Sequence, residues 1–272
     1  GGALAVIIIN NVASAPIQMG GTSSAVNIPS IMISQNDGNT IKAQLAGNTV
    51  NATISDGGVP SSTKDGDLDN GIIAHEYGHG ISNRLTGGAS NANCLSNAEQ
   101  MGEGWSDWFG LMLTMEPGDQ GADIRGIGTY ATNQATTGGG IRPAPYSTDF
   151  AVNSYTYGES NNTGQISEPH GVGFIFATVL WDLNWALIAN YGGTFDTDIF
   201  NGTGGNNIAM HLVIEGLKLQ PCNPGMLDGR DAILQADQLL YNGVHECLIW
   251  NVFANRGFGY SSDQGSSGSR SD

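Results

Sequence analysis

The chain has 272 residues, 39% of them hydrophobic, enough to bury a real core and to exclude disordered and fibrous classes. Nine Lys and Arg stand against 25 Asp and Glu, a net charge of −16. Nucleic acid and anionic membrane are thereby excluded as partners, because both require a cationic surface.

From the N-terminus, residues 3–9 form a β-branched run that ends at Asn10 and Asn11, as a central strand would. Residues 28–34 read as a second strand, and Asp37 as the cap of a short helix running through Ile41, Ala43 and Leu45 to Gly47. This strand–loop–strand–helix unit resembles the C-terminal half of a protease-associated domain. The first half of such a module would precede residue 1, so the N-terminus reads as a truncation point. With no initial Met, any signal peptide lies upstream.

Residues 48–66, rich in Gly, Ser, Thr and Asp, read as a linker. The chain turns helical at Asn70, and further helices are predicted over 98–116, 172–191, 206–219, 229–241 and 245–256. Between them, 117–169 is mostly loop, and a loop longer than about 15 residues inside a compact domain is usually functional. The Ser/Gly/Asp-rich tail from Ser261 is expected to fray. No apolar run approaches the roughly 20 residues that cross a bilayer, so no membrane span is predicted.

The chemistry is concentrated in His75-Glu76-Tyr77-Gly78-His79. On a helix His75 and His79 lie about 40° apart on one face, one turn above the other, so their imidazoles suit a single Zn²⁺. Glu76 points to the same side, where it can take a proton from water without ligating the metal. A catalytic zinc needs a third protein ligand. Glu103, 24 residues after His79, lies on a second predicted helix with Asp107 on the same face. Glu103 would complete a His₂Glu site, and Asp107 would accept the free ring N–H of His75 and fix its tautomer. Glu99, a further helical step back, is the rival ligand. A metzincin arrangement is excluded, since Leu85 stands where its third His belongs.

Asp65, Asp67 and Asp69 alternate as in a Ca²⁺ loop. However, Asn70 replaces the Gly of the sixth position, and Glu76 at the twelfth already has another role. Helix capping explains these acids more simply, and Ca²⁺ stays an open alternative.

Asp65 to Ala74, His75 to Asn83, Gly102 to Asp107, Gly140 to Pro143 with Pro145 to Asp149, and Glu168 to Trp185 together resemble the fungalysin family of zinc endopeptidases. Asp228 to Leu234 and Cys247 to Trp250 extend the resemblance across most of residues 60–260. It implies an α+β, thermolysin-like catalytic fold, mostly helical in its C-terminal part, over 51–272, preceded by the partial protease-associated module at 1–50. It further implies one Zn²⁺, secretion as a proprotein with an N-terminal propeptide, a monomer, and broad endopeptidase action on proteins and peptides.

By the same resemblance His170, just ahead of a long helix, donates to the charge that develops on the peptide carbonyl oxygen. Thermolysin places an Asp five residues before its His; here that residue is Gln165, and Glu168 is the substitute partner. Arg142 has two readings, a donor to a substrate carbonyl assisted by Tyr146 or a structural ion pair. His211 and His245 read as structural. Secretion favours a disulfide between Cys222 and Cys247, leaving Cys94 unpaired. A zinc-containing protein-binding module without activity is the alternative function, but such a protein would typically have lost Glu76 or a ligand, and all are present.

Overall fold

The computed structural model describes residues 3–13, 16, 28–54 and 64–270. The chain divides into two compact units, residues 1–62 and 63–272.

In the first unit β1 (Val6–Ile9) pairs in parallel with β2 (Ser30–Ile33), with Val6 opposite Ser30 and Ile9 opposite Ile33. Among the described residues β1 has this one partner and is largely exposed, so the predicted central strand is an outer one here. Helix α1 (Gln35–Leu45) follows. Its cap is Ser34 rather than Asp37: the Asp37 amide donates to Ser34 Oγ at 3.1 Å, and Ser34 Oγ–H donates back to the Asp37 carboxylate at 2.6 Å. Serine and aspartate three apart share the capping, and the first of them ends the strand. Of the 48–66 linker, residues 55–63 lie outside the described ones.

Among the described residues the second unit contains six α-helices: α2 (Asn70–Leu85), α3 (Gly102–Leu113), α4 (His170–Asn190), α5 (Gly205–Leu219), α6 (Met226–Tyr241) and α7 (Glu246–Asn255). Asp69 starts α2 by accepting from the amides of Gly71 and Ile72, and its second oxygen accepts from the Ala131 amide at 3.1 Å. Asp65 accepts from the Asp67 amide at 3.1 Å. These acids therefore spend their oxygens on backbone donors, as capping residues do.

Helix α4 is the centre of the unit, packing on α3, α5 and α7. Val172, Phe174, Phe176, Val179 and Leu187 are fully buried along it. Its 21 residues are long and apolar enough to cross a bilayer, contrary to the sequence reading, but most of that surface is buried inside the unit. A helix apolar all round suits a protein core as well as a membrane.

Three further expectations are corrected. The predicted 98–116 helix is shortened to Gly102–Leu113, because Asn97 to Gln100 form a turn ahead of it. The C-terminal tail, expected to fray, is packed as far as Arg270: Gln264 accepts from the amides of Leu227 and Asp228 at the start of α6, and Arg270 is buried. The disulfide joins Cys94 to Cys222, leaving Cys247 free and exposed on α7. The Asn223 amide donates to the Cys94 carbonyl at 2.8 Å, so the backbones of those two loops already run together.

Candidate metal centre and active site

Helices α2 and α3 bring the predicted metal ligands together. His75 and His79 lie one turn apart on α2, their rings 4.8 Å apart and close to perpendicular. Glu103, in the first turn of α3, reaches both. Its Oε2 is 3.3 Å from His75 Nε2, and its Oε1 is 3.6 Å from His79 Nε2. One ligand atom from each residue falls within a set no more than 4.8 Å across. A tetrahedral zinc held about 2.1 Å from each ligand sets neighbouring ligand atoms about 3.4 Å apart, so this donor set fits the ion.

The other nitrogen of His75 is occupied. Nδ1 is 2.7 Å from Asp107 Oδ1, a short but bent approach in which charge counts as much as a lined-up hydrogen bond. Asp107 is fully buried, one helical turn beyond Glu103. Arg142 grips it through one edge of its guanidinium, Nε to Oδ2 at 2.7 Å and Nη2 to Oδ1 at 2.8 Å. The Tyr146 hydroxyl donates to Oδ2 at 2.6 Å. Arg142 Nη2 also donates to Glu103 Oε2 at 3.1 Å, so one arginine braces both acidic residues behind the site. Of the two sequence readings of Arg142, the structure has the ion pair.

Burial and charge set the ionisation of the group without a metal. Burial disfavours the His75 imidazolium, but contact with Asp107 and Glu103 outweighs it and lifts the pKa to about 9. Burial pushes His79 the other way, and charge on His75 adds to that. Burial opposes ionisation of Asp107 and Glu103, yet contact with His75 keeps both carboxyls below their usual range, helped by the guanidinium of Arg142. The Tyr146 phenol is raised well above its ordinary value by burial and by the neighbouring Asp107 carboxylate, so it stays a donor.

Glu76 is exposed and lines the same cleft as the ligands, a space of about 210 Å³ lined also by Ile72, Ile127, Ile141 and Arg142. His170 is at its rim as the first residue of α4, with its side chain 56% exposed and Nε2 3.5 Å from Glu103 Oε1. The substitute orienting partner for His170 is corrected: Glu168 accepts from Gln100 Nε2 at 3.2 Å instead. Glu99 is not on the ligand face, since α3 begins three residues after it. It is buried, with Oε2 accepting from the Met226 amide at 3.2 Å and Oε1 from the Tyr157 hydroxyl at 3.4 Å.

The bracing role of Tyr146 was missed by sequence reading. Tyr146 is four residues after Arg142, in a loop with no periodicity to aim either side chain. An antiparallel bridge between Arg125 and Tyr146 fixes that stretch.

Residues 18–262 match the sequence profile of the fungalysin metallopeptidase (M36) family. The chain is 44% identical over 199 residues to extracellular metalloproteinase 2 of Arthroderma gypseum, covering 71% of this chain and 30% of that protein. Extracellular metalloproteinase 3 of Arthroderma otae and extracellular metalloproteinase 3 of Trichophyton tonsurans are similar to the same extent. The chain thus spans about 30% of the length of these relatives. With a profile match across most of its length, the chain belongs to the fungalysin metallopeptidase family.

Proposed function

We propose that this chain carries the catalytic centre of a secreted zinc endopeptidase that hydrolyses internal peptide bonds of proteins. His75, His79 and Glu103 would hold one Zn²⁺. The observation that carries this reading is the spacing of their ligand atoms, 3.3 Å and 3.6 Å from the Glu103 carboxylate, close to what a tetrahedral ion requires. When bound, the ion supplies Lewis acidity, lowering the pKa of water at the site and polarising a peptide carbonyl.

The remaining steps belong to the protein. Glu76, exposed in the cleft, takes a proton from the attacking water and delivers it to the departing amine. His170 at the rim donates to the carbonyl oxygen as negative charge builds there. Asp107 holds His75 through Nδ1, which would leave Nε2 available as a ligand, while Arg142 and Tyr146 hold Asp107. The isoleucines that line the cleft offer an apolar surface to a substrate side chain.

We assign 51–272 to a thermolysin-like catalytic domain and 1–50 to the C-terminal half of a protease-associated module, a reading supported by the parallel β1–β2 pair followed by α1. We further propose a propeptide in the precursor, a monomeric mature form and secretion, the last supported by relatives that are extracellular by name. An inactive zinc-containing binding module is not favoured, since each group named above is present.

Digestion of casein with and without a chelator tests the proposal. Hydrolysis abolished by the chelator and restored by about one equivalent of zinc is the expected result. Hydrolysis that survives complete metal removal would rule the reading out.

A further inference from the structure

His170 stands where it does with little help from its own side chain. Its ring is more than half exposed, and the contact it makes among the described residues is the one with Glu103, at 3.5 Å. Its aim is therefore set by the backbone that delivers it. That backbone is the segment from Ser160 to Pro169, most of it exposed and without regular structure.

Ser160 and Ile166 are the exceptions, each at 1% exposed, and Ile166 sits so tightly under the start of α4 that a Cβ on Gly171 would lie 2.9 Å from its Cγ2. The next residue, two before the Pro169 cap, takes up two of the first amides of the helix: Ser167 Oγ accepts from the Gly171 amide at 3.3 Å, and its carbonyl accepts from the Val172 amide at 3.1 Å. The Ile166–Ser167 peptide is thus the point from which α4, and His170 with it, is set.

Arg270, near the far end of the chain, holds that point. Its Nε and Nη2 donate to the Ser160 carbonyl at 3.0 and 2.6 Å, and Nη2 also donates to the Ile166 carbonyl at 2.8 Å. Arg270 is 8% exposed, so these are charge-assisted bonds out of water, and a planar fork suits two carbonyls better than a single amine would. The tail leading to it is fastened along its path. Gln264 bonds to the first amides of α6, and the Ser267 carbonyl accepts from the Glu99 amide at 3.2 Å and from Asn97 Nδ2 at 2.9 Å. Asn97 and Glu99 lie just ahead of Glu103, so the strap ties the approach to the third metal ligand and the approach to His170 into one piece.

We propose that Arg270 is a positioning residue for His170, acting through the Ser160 and Ile166 carbonyls. The proposal rests on the reading of His170 as the donor to the carbonyl oxygen. Neither residue is a zinc ligand in that reading, so the effect is separable from metal content.

The test is steady-state hydrolysis of a fluorogenic peptide by the full-length protein. Arg270→Met is expected to keep one zinc per chain and to leave KM within about threefold. Its kcat is expected to fall roughly tenfold to a hundredfold, the range that misplacing a transition-state donor by about 1 Å costs. Arg270→Lys, which keeps a donor but not the fork, should recover part of the loss. In a His170→Ala background, Arg270→Met should slow the reaction no further. Wild-type kcat in Arg270→Met, or the same fold loss with His170 already removed, would overturn the proposal. Should Arg270→Met fail to fold, Arg270→Lys in both backgrounds carries the same comparison, and an equal loss in each again overturns it. Full activity in His170→Ala alone would overturn the reading of His170 and this inference with it, an outcome distinct from the others.

Discussion

Asp107 accepts or faces four donors on its two oxygens: Nε and Nη2 of Arg142, the Tyr146 hydroxyl and His75 Nδ1. A buried carboxylate so surrounded stays ionised, and its negative charge is what keeps a proton on His75. The consequence is a pH dependence. His75 has its pKa raised to about 9 in the metal-free protein, from an ordinary 6.5. A raised histidine contributes stability below pH 6.5 and loses it as pH climbs through 9. With His75 buried, that contribution is on the order of 3 kcal/mol. The melting temperature of the chelator-stripped protein should therefore fall between pH 6.5 and 9. In the zinc-loaded protein the ion replaces the proton, and the decline should be absent. A stripped protein with a flat profile over that range would show that Asp107 does not hold His75 as described.

At the level of elements, two helix crossings place the site, and both run through glycine. A Cβ on Gly78 of α2 would lie 2.8 Å from the Ser106 Cα of α3. A Cβ on Gly104 of α3 would land on the Gly173 carbonyl of α4, beside Glu103 and three residues past His170. Backbone meets backbone there, so no side chain can give way. Gly104→Ala gains about 1 kcal/mol in helix propensity but loses roughly 3 kcal/mol to overpacking. Net destabilisation, measured by urea unfolding, is the expected sign; a stabilised variant would mean that α3 and α4 are not this close.

This is also the scale at which the sequence was most legible. Two histidines four apart, a carboxylate pair four apart and Asp69 ahead of α2 are local patterns, fixed by helical geometry alone. The limits of α3 were not, because the Asn97–Gln100 turn is held by the distant tail through Ser267. Nor were Arg142 and Tyr146, which reach Asp107 across 35 and 39 residues from an irregular loop.

Across the whole molecule, cations are scarce and most of the arginines are spent inside. Arg230, Arg256 and Arg270 are buried, and Arg142 is enclosed at the metal centre, so the outer surface is left acidic. The tail and the disulfide were misread for a shared reason: both depend on contacts between segments far apart in the chain. Cys94 and Cys222 close a separation of 128 residues, whereas Cys247 sits exposed on α7. Replacing Cys94 and Cys222 together by Ser should cost about 3–5 kcal/mol, as expected for a long loop. Cys247→Ser should stay within about 0.5 kcal/mol. Chemical denaturation of the two variants separates the assignments, and a loss in Cys247→Ser as large as that of the double variant would restore the Cys222–Cys247 pairing.

The central claim, a His75–His79–Glu103 zinc centre served by Glu76, is tested most directly by metal analysis and peptide hydrolysis on Glu76→Gln. Glu76 lines the cleft without belonging to the ligand cluster. The variant should bind one zinc per chain as the wild type does, while its kcat falls by roughly 10² to 10⁴, the worth of a general base. Near-normal hydrolysis in a zinc-loaded Glu76→Gln protein, or loss of the zinc with the glutamate, would contradict it.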